Sequence, residues 1–294
     1  MKKVIVLCGP TAVGKTAISI ELAKHLSAEI ISGDSVQVYK RLDVGSAKIK
    51  DDEKQGVIHH LIDIKEPNET YDVAQFQTMS RALIDKIKVP MIVGGTGLYI
   101  KAVIDNYEFY APKYDIKDES MYDSYSNEAL HELLKSKDAK TANELHQNNR
   151  RRIIRAILQA DSNVKRSELV KKDERLYDAL VIYLTMPREQ LYERINLRVD
   201  QMVNEGFVEE AFHLYQEGIT LNILGYRELN AYFEGSISLE EALIEIKKKT
   251  RHLAKRQETW FKHQMDATII NVNHNELNQT IEALKIRCNQ FLKE

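Results

Sequence analysis

Over the first hundred residues, short apolar runs alternate with stretches of helical spacing. "KVIVLC" (3–8), "EIIS" (29–32) and "VPMIVGG" (89–95) have strand length and are rich in apolar, often β-branched residues. Between them, 16–26 and 74–87 carry apolar positions three and four apart. Strands joined by helices of this length predict a parallel α/β sheet with helices on both faces. Around residue 106 the character changes. Residues 105–144 hold ten Asp or Glu against five Lys, five tyrosines fall between Tyr107 and Tyr125, and the spacing is helical with no strong apolar strand. The pattern predicts a helical insertion over 108–175, leaving 1–107 and 176–294 as the α/β core with C-terminal helices. "ALVIYLTMP" (179–187) returns as a buried strand, and everything after it reads as predominantly helical. No fixed-period repeat and no Gly/Ser linker interrupts the chain.

Composition narrows the class. A chain of 294 residues with 43% apolar side chains can bury a substantial core. The uninterrupted apolar runs are only a few residues long, against the roughly 20 needed to span a bilayer. The basic start "MKKVIVLCGP" is too short in its apolar part for a secretory signal, so the expected location is cytoplasmic. Two cysteines, Cys8 and Cys288, offer neither a disulfide framework nor metal-ligand spacing, and Cys8 reads as a small buried apolar residue. The formal charge of −2 does not point to nucleic acid, but its distribution is uneven.

The chemistry begins at "GPTAVGKT", which runs Gly9, Pro10, Thr11, Ala12, Val13, Gly14, Lys15, Thr16. It matches G-x-x-x-x-G-K-[ST] with a predicted strand before it and a helix after it, the context of a loop that wraps a polyphosphate in backbone N–H groups. The helix N-terminus adds its positive dipole end, Lys15 a point charge, and Thr16 a hydroxyl for Mg²⁺. The loop does not by itself identify the polyphosphate as ATP. A nucleotide triphosphatase of the usual kind has a strand ending in a metal-binding Asp. Here "PMIV" runs into "GGTG" without a carboxylate, and "HLID" offers Asp63 only on a short run. "ISGDSVQVY" places Asp34 and Ser35 at the carboxyl end of a strand expected to neighbour the first, where open α/β sheets bind ligands. An aspartate there either accepts a proton from an attacking acceptor group or caps a turn.

Two basic clusters stand out. "NNRRRIIRAI" places Arg150, Arg151, Arg152 and Arg155 on one predicted helix, and "KKKTRHLAKR" places Lys247, Lys248, Lys249, Arg251, Lys255 and Arg256 on another. Lys248, Arg251 and Lys255 share a face and form a stripe suited to a phosphate backbone, although a charged helix face is often merely solvated. Beside it, "QETWF" brings Trp260 and Phe261, residues that either stack on bases or fill core.

Together "GPTAVGKT", "ISGDSVQVYKRLDVGSAK", "HHLIDI", "YDVAQFQ", "VGGTGLYIKA", "RRRIIRAI", "RVDQMVNEGFVEEA", "LGYRE" and "TRHLAKRQETWF" resemble, in order, the tRNA dimethylallyltransferase (tRNA isopentenyltransferase) family. The resemblance covers most of the chain outside about 106–145, where "KDAKTANEL" replaces the Asp-Pro that often precedes the arginine helix. It implies a P-loop kinase-like fold and transfer of a dimethylallyl group from dimethylallyl diphosphate to N6 of adenosine 37 in the tRNA anticodon stem-loop. Diphosphate would be released, Mg²⁺ would assist, and the enzyme would act as a monomer. By the same resemblance Asp34 is the base, while Thr11 and Arg198 attend the donor diphosphate with Lys15 and Thr16. The implied RNA contacts are Asp34, Ser35, Val36, Gln37, Thr96, Arg151, Arg152, Arg155, Gly225, Tyr226, Arg227, Arg251, Lys255, Arg256 and Gln257. Three other readings share the loop: a P-loop small-molecule kinase, an isopentenyltransferase acting on free AMP or ADP, and a non-catalytic RNA-binding protein. The first two leave the basic clusters unused, and the third leaves Lys15, Thr16 and Asp34 unused.

Overall fold

Strand β1 (Lys3–Cys8) is unbroken by any polar side chain from Val4 onward because both of its faces are covered. Ile5 and Leu7 join one core and Val4, Val6 and Cys8 the other, the two-residue alternation of a strand inside a parallel sheet. The computed structural model describes residues 1–107, 116–162 and 174–294. The chain divides into two units, Met1–Ile104 with Arg175–Glu294 and, separately, Asp105–Glu174. The parts of the expected insertion at 108–115 and 163–173, with Tyr110 and Tyr114, lie outside the described residues.

In the first unit β1 is followed by α1 (Lys15–Leu26), β2 (Glu29–Ser32), β3 (His59–His60), α2 (Val73–Lys86), β4 (Pro90–Gly94) and α3 (Gly97–Ile104). All pairings are parallel, in the order β3-β2-β4-β1-β5-β6, where β5 is Asp178–Thr185 and β6 is Thr268–Asn271. The register places Cys8 opposite both Gly94 and Tyr183, so the carboxyl ends of β4 and β1 finish level while β5 runs two residues further, to Thr185. Ile18 and Leu22 of α1 pack on one face of the sheet; Phe76 and Ile84 of α2 and Ile100 of α3 pack on the other.

One sequence expectation changes here and another gains detail. β2 does not neighbour β1, since β4 lies between them; strand length and apolarity cannot reveal adjacency, which is decided by how the connecting helices pack. The stretch after β5 is predominantly helical, as expected, but two short edge strands were not anticipated: β6 closes one sheet edge, and β3 adds a two-residue rung at the other. Along β6 positions alternate between half-buried and exposed, with Ile269 53% exposed, so this edge strand lacks the continuous apolar run of the interior ones.

The C-terminal helices of this unit are α7 (Arg188–Asn204), α8 (Phe207–Gln216), α9 (Tyr226–Phe233), α10 (Leu239–Gln264) and α11 (Leu277–Lys293), with α4 to α6 in the other unit. α10 begins in a capping box in which Ser238 and Glu241 satisfy each other's backbone N–H. It runs past a core formed with α8 and α9 (Phe207, Leu214, Leu229, Ile246) before reaching the sheet through Ala254 and Phe261. The second unit comprises a 3₁₀ turn (Ile116–Tyr122), α4 (Asn127–Lys137), α5 (Ala139–Glu144) and α6 (Arg150–Asp161) around Leu130, Leu134, Ile153 and Ile157. Asp138, in the "KDAKTANEL" stretch, caps α5 by accepting from the Thr141 backbone N–H and hydroxyl. Among the described residues no helix is long and apolar enough to cross a membrane.

Candidate active site

The phosphate loop links β1 to α1. Ala12 at φ 66° and Gly14 at φ 102° take left-handed backbone, which turns successive N–H groups toward one side. Lys15 folds back over the loop, its Nζ donating to the carbonyls of Gly9 (3.0 Å) and Pro10 (2.8 Å). Burial, and then the Arg198 guanidinium, lower Lys15 from 10.5 to about 8, with Asp34 pulling the other way. Arg198 itself is lowered by burial, against the pull of Asp34 and then Glu53. The structure therefore gathers Lys15, Asp34 and Arg198 into one electrostatic neighbourhood at the carboxyl ends of the central strands.

Asp34 follows β2 and performs one of the two duties the sequence left open. Its Oδ1 accepts from the backbone N–H of Val36 (2.8 Å) and Gln37 (3.3 Å), closing an Asx turn. Oδ2 has no protein hydrogen-bond partner among the described residues. Thr96, at the end of the "GGTG" turn, donates its N–H to Gly33 O (3.4 Å), so the turns after β2 and β4 are stitched together behind Asp34.

The loop after Asp34 is held by side chains that sequence reasoning missed. Glu210 of α8 accepts from the N–H groups of Asp43, Val44 and Gly45 (2.8–2.9 Å) and from the Tyr226 hydroxyl (2.6 Å). Lys48, nearly buried, donates to Tyr39 O (2.8 Å) and pairs with Asp43 and Asp63, so Asp63 is engaged in an ion pair. The Ala47 carbonyl of this loop then accepts from Arg198 (3.3 Å) and Gln37 Nε2 (3.4 Å). Arg194, one helical turn before Arg198, donates to Ala12 O of the phosphate loop (2.9 Å). Its four-residue offset from Arg198 on a predicted helix was a usable signal; nothing in the spacing marked Glu210 as the anchor of loop 43–45. Glu210→Ala is expected to lower unfolding stability by about 2 kcal/mol, read from the urea midpoint, because several loop donors lose their acceptor. An unchanged midpoint would remove it as the anchor.

The remaining expected RNA contacts divide by environment. Tyr226 is buried against Glu210, and Arg227 turns to the buried Glu228 carboxylate, which also takes the Gly225 N–H. Lys247, Lys248 and Lys249 pair with Asp200, Glu245 and Glu228 respectively. Arg251 donates to Asn196 and lies over the Tyr192 ring. Lys255 and Arg256 are exposed, with no ion-pair partner among the described residues. Gln257 faces inward, bonded to Thr11 and Gly95, while Trp260 lies against Gly97 and Phe261 is core. In the second unit Arg151 and Arg155 flank Glu119, Arg152 is exposed, and Arg150 donates to the carbonyls of Tyr122 and Tyr125.

The family described as IPP transferase matches residues 37–264. The tRNA dimethylallyltransferase of Anoxybacillus flavithermus is 48% identical over 301 residues, spanning 96% of this chain and 96% of that protein. That of Bacillus licheniformis is 49% identical over 278 residues, spanning 90% of this chain and 88% of that protein. Among solved structures, the full-length tRNA isopentenylpyrophosphate transferase of Bacillus halodurans superposes with a TM-score of 0.77 at 40% identity, covering 100% of this chain and 97% of that one. A eukaryotic dimethylallyltransferase acting on tRNA superposes with a TM-score of 0.86 at 26% identity, covering 100% of this chain and 80% of that one.

Proposed function

Since this chain belongs to the IPP transferase family, the tRNA dimethylallyltransferases, we infer that it is a prenyltransferase that moves a dimethylallyl group onto tRNA. The donor is dimethylallyl diphosphate, and the acceptor is N6 of adenosine 37 beside the anticodon. The observation that carries this reading is a chain of contacts: Asp34 accepts from the Gln37 N–H, Gln37 Nε2 and Arg198 both donate to Ala47 O, and Arg194 of the same helix donates to Ala12 O in the loop that carries Lys15. It brings cations for a charged leaving group and a carboxylate for the acceptor's proton to the same end of the sheet, as an alkyl transfer requires.

The bond between the allylic carbon and the diphosphate oxygen breaks, and its electron pair stays on the diphosphate. Loop N–H groups, Lys15 and Arg198 stabilise that growing negative charge. N6 is a poor nucleophile because its lone pair is delocalised into the purine. As it bonds to carbon, its proton passes to Asp34, whose Oδ1 is pinned by the turn so that Oδ2 is presented. Adenosine 37 must leave the anticodon stack to reach this carboxylate, so the base is flipped.

Magnesium suits the donor set. Thr16 offers one neutral hydroxyl at the start of α1, and no group of three His, Cys, Asp or Glu able to hold a metal occurs among the described residues. Thr16 would be the protein ligand of a hard cation at this position, with diphosphate oxygens and water supplying the remaining oxygens. When bound, it withdraws charge from the leaving group.

Lys255 and Arg256, without an ion-pair partner among the described residues, are the strongest candidates on α10 for RNA phosphates. Replacing both by Ala is expected to weaken tRNA binding and to reduce the slope of log K against log salt by about 1 to 2. An unchanged slope would clear this face of the RNA. The activity itself is tested by incubating the protein with dimethylallyl diphosphate and unmodified tRNA, digesting, and weighing adenosine 37 by mass spectrometry. Free AMP and ATP with small acceptors run in parallel. Modified AMP with unmodified tRNA would replace the tRNA reading by one of a free-nucleotide prenyltransferase.

A further inference from the structure

Gln257 links two loops that leave the paired ends of β1 and β4, where Cys8 stands opposite Gly94. Its Oε1 accepts from the Thr11 N–H (3.3 Å) in the phosphate loop, and its Nε2 donates to Gly95 O (3.0 Å) in the turn leading to Thr96. At neutral pH, where a glutamate is ionised and accepts only, the primary amide presents an acceptor and a donor side by side at the end of a side chain of this length. The fit is close, since a Cβ on Gly95 would stand 2.4 Å from Nε2. The seating of α10 does not depend on this amide. Ala254 and Phe261 are buried in the two cores that flank the sheet, and the Trp260 ring packs against Gly97. What Gln257 adds to the strand pairing is a side-chain tie beyond the strand ends, between the Thr11 N–H of the phosphate loop and the Gly95 carbonyl.

We propose that Gln257 is a positioning residue, a brace that holds the Thr11 amide of the donor loop in register with the Gly95–Thr96 turn, so that the diphosphate ester and the incoming base meet at reacting distance. This rests on the prenyl-transfer reading above and adds to it the part that sets the separation of the two substrate sites. Displacements well under an ångström at this point change the overlap of the nitrogen with the allylic carbon, and rates respond steeply to that geometry.

The test compares Gln257→Met and Gln257→Glu with the wild type. Met removes both hydrogen bonds, and the expected result is a KM for dimethylallyl diphosphate raised about 10-fold, with tRNA Kd unchanged. Glu keeps the acceptor for Thr11, but its carboxylate faces the Gly95 carbonyl without a proton. As pH falls from 8 toward 4, into the ordinary carboxyl range, the carboxyl gains a proton and can donate to Gly95 again, so the ratio of variant to wild-type activity is expected to rise. A side chain serving only to stabilise the fold would not produce that pH-dependent rescue. A ratio flat across the range, or tRNA binding weakened with the donor KM unchanged, would overturn the proposal; the second result would place Gln257 on the RNA. Affinity for inorganic diphosphate, measured by calorimetry, reads the brace without any transfer: Met should weaken it, and equal affinity in wild type and variant would also overturn the brace. A wild type that binds diphosphate more tightly than the Met variant yet never modifies tRNA would sink the functional reading while supporting the brace.

Discussion

Asp34→Asn is expected to lower turnover on tRNA by about 10²-fold to 10⁴-fold, the usual worth of a positioned general base. Asparagine is the informative replacement because Oδ1 still accepts from Val36 and Gln37 and the turn survives. The variant therefore loses the proton acceptor alone, and tRNA affinity and the donor KM should stay within about threefold of the wild type. Asp34→Ala loses the turn as well, and its extra loss should appear in binding of RNA by residues 34–37. If Asn instead retains turnover and Ala does not, Asp34 acts only as the cap of its turn, and the proton has another destination.

Lys15→Ala is expected to cost about 10²-fold to 10³-fold in kcat/KM for the donor, comparable to removing a donor from an anion-stabilising site. The wild type should show a matching pH dependence. With Lys15 lowered to about 8 by burial and the Arg198 charge, the loop loses its cation as pH rises through that value. kcat/KM for the donor should fall across that limb. kcat should fall later, because bound diphosphate places negative charge against Lys15 and raises it again. The stability effect has the opposite sign. Between about 8 and 10.5 the unfolded chain carries a proton that the folded Lys15 has released, so this group makes folding more favourable as pH increases through that window. A donor kcat/KM that is flat from pH 7 to 9.5 in the wild type would show either that Lys15 keeps its charge through that window or that another group meets the diphosphate.

Much of the architecture was legible because it follows from local rules. Residues 3–8 read as a doubly buried strand since five successive apolar residues cannot lie on one face of anything else so short. The helix after Gly14 was legible from the loop motif and its spacing, and the observed start at Lys15 lies one residue from the expected start at residue 16. β6 and β3 were not legible. Each has four residues or fewer, and their hydrogen-bond partners, β5 and β2, lie 86 and 29 residues earlier by their first paired positions. Pairing at that distance leaves no periodic trace in so short a segment. Among the candidate residues, the loop and Asp34 stood out in the sequence because backbone geometry and strand ends impose residue types. Lys48 and Glu210 were not, since they act on backbone atoms of a loop whose path only the folded chain defines. In the "KKKTRHLAKR" stretch, Lys248, Arg251 and Lys255 read as one stripe, with a merely solvated face as the alternative. In the structure the lysines of this stretch at 247, 248 and 249 are engaged by Asp200, Glu245 and Glu228, which come from other helices as well as its own.

From its order of residues alone, this chain commits to a parallel α/β sheet, a loop for phosphates at the end of its first strand, and a carboxylate at the end of its second. Each of these depends on covalent neighbours: side-chain alternation along a strand, glycine where φ is positive, and a helix N-terminus directly behind the loop. Tertiary structure decided that β4 stands between those two strands, that Arg194 and Arg198 reach back across more than 150 residues to the loops, and that Gln257 ties the phosphate loop to the turn after β4. These are contacts between segments far apart in sequence. Their geometry is set by how the helices pack on the sheet, which no local pattern of residues records.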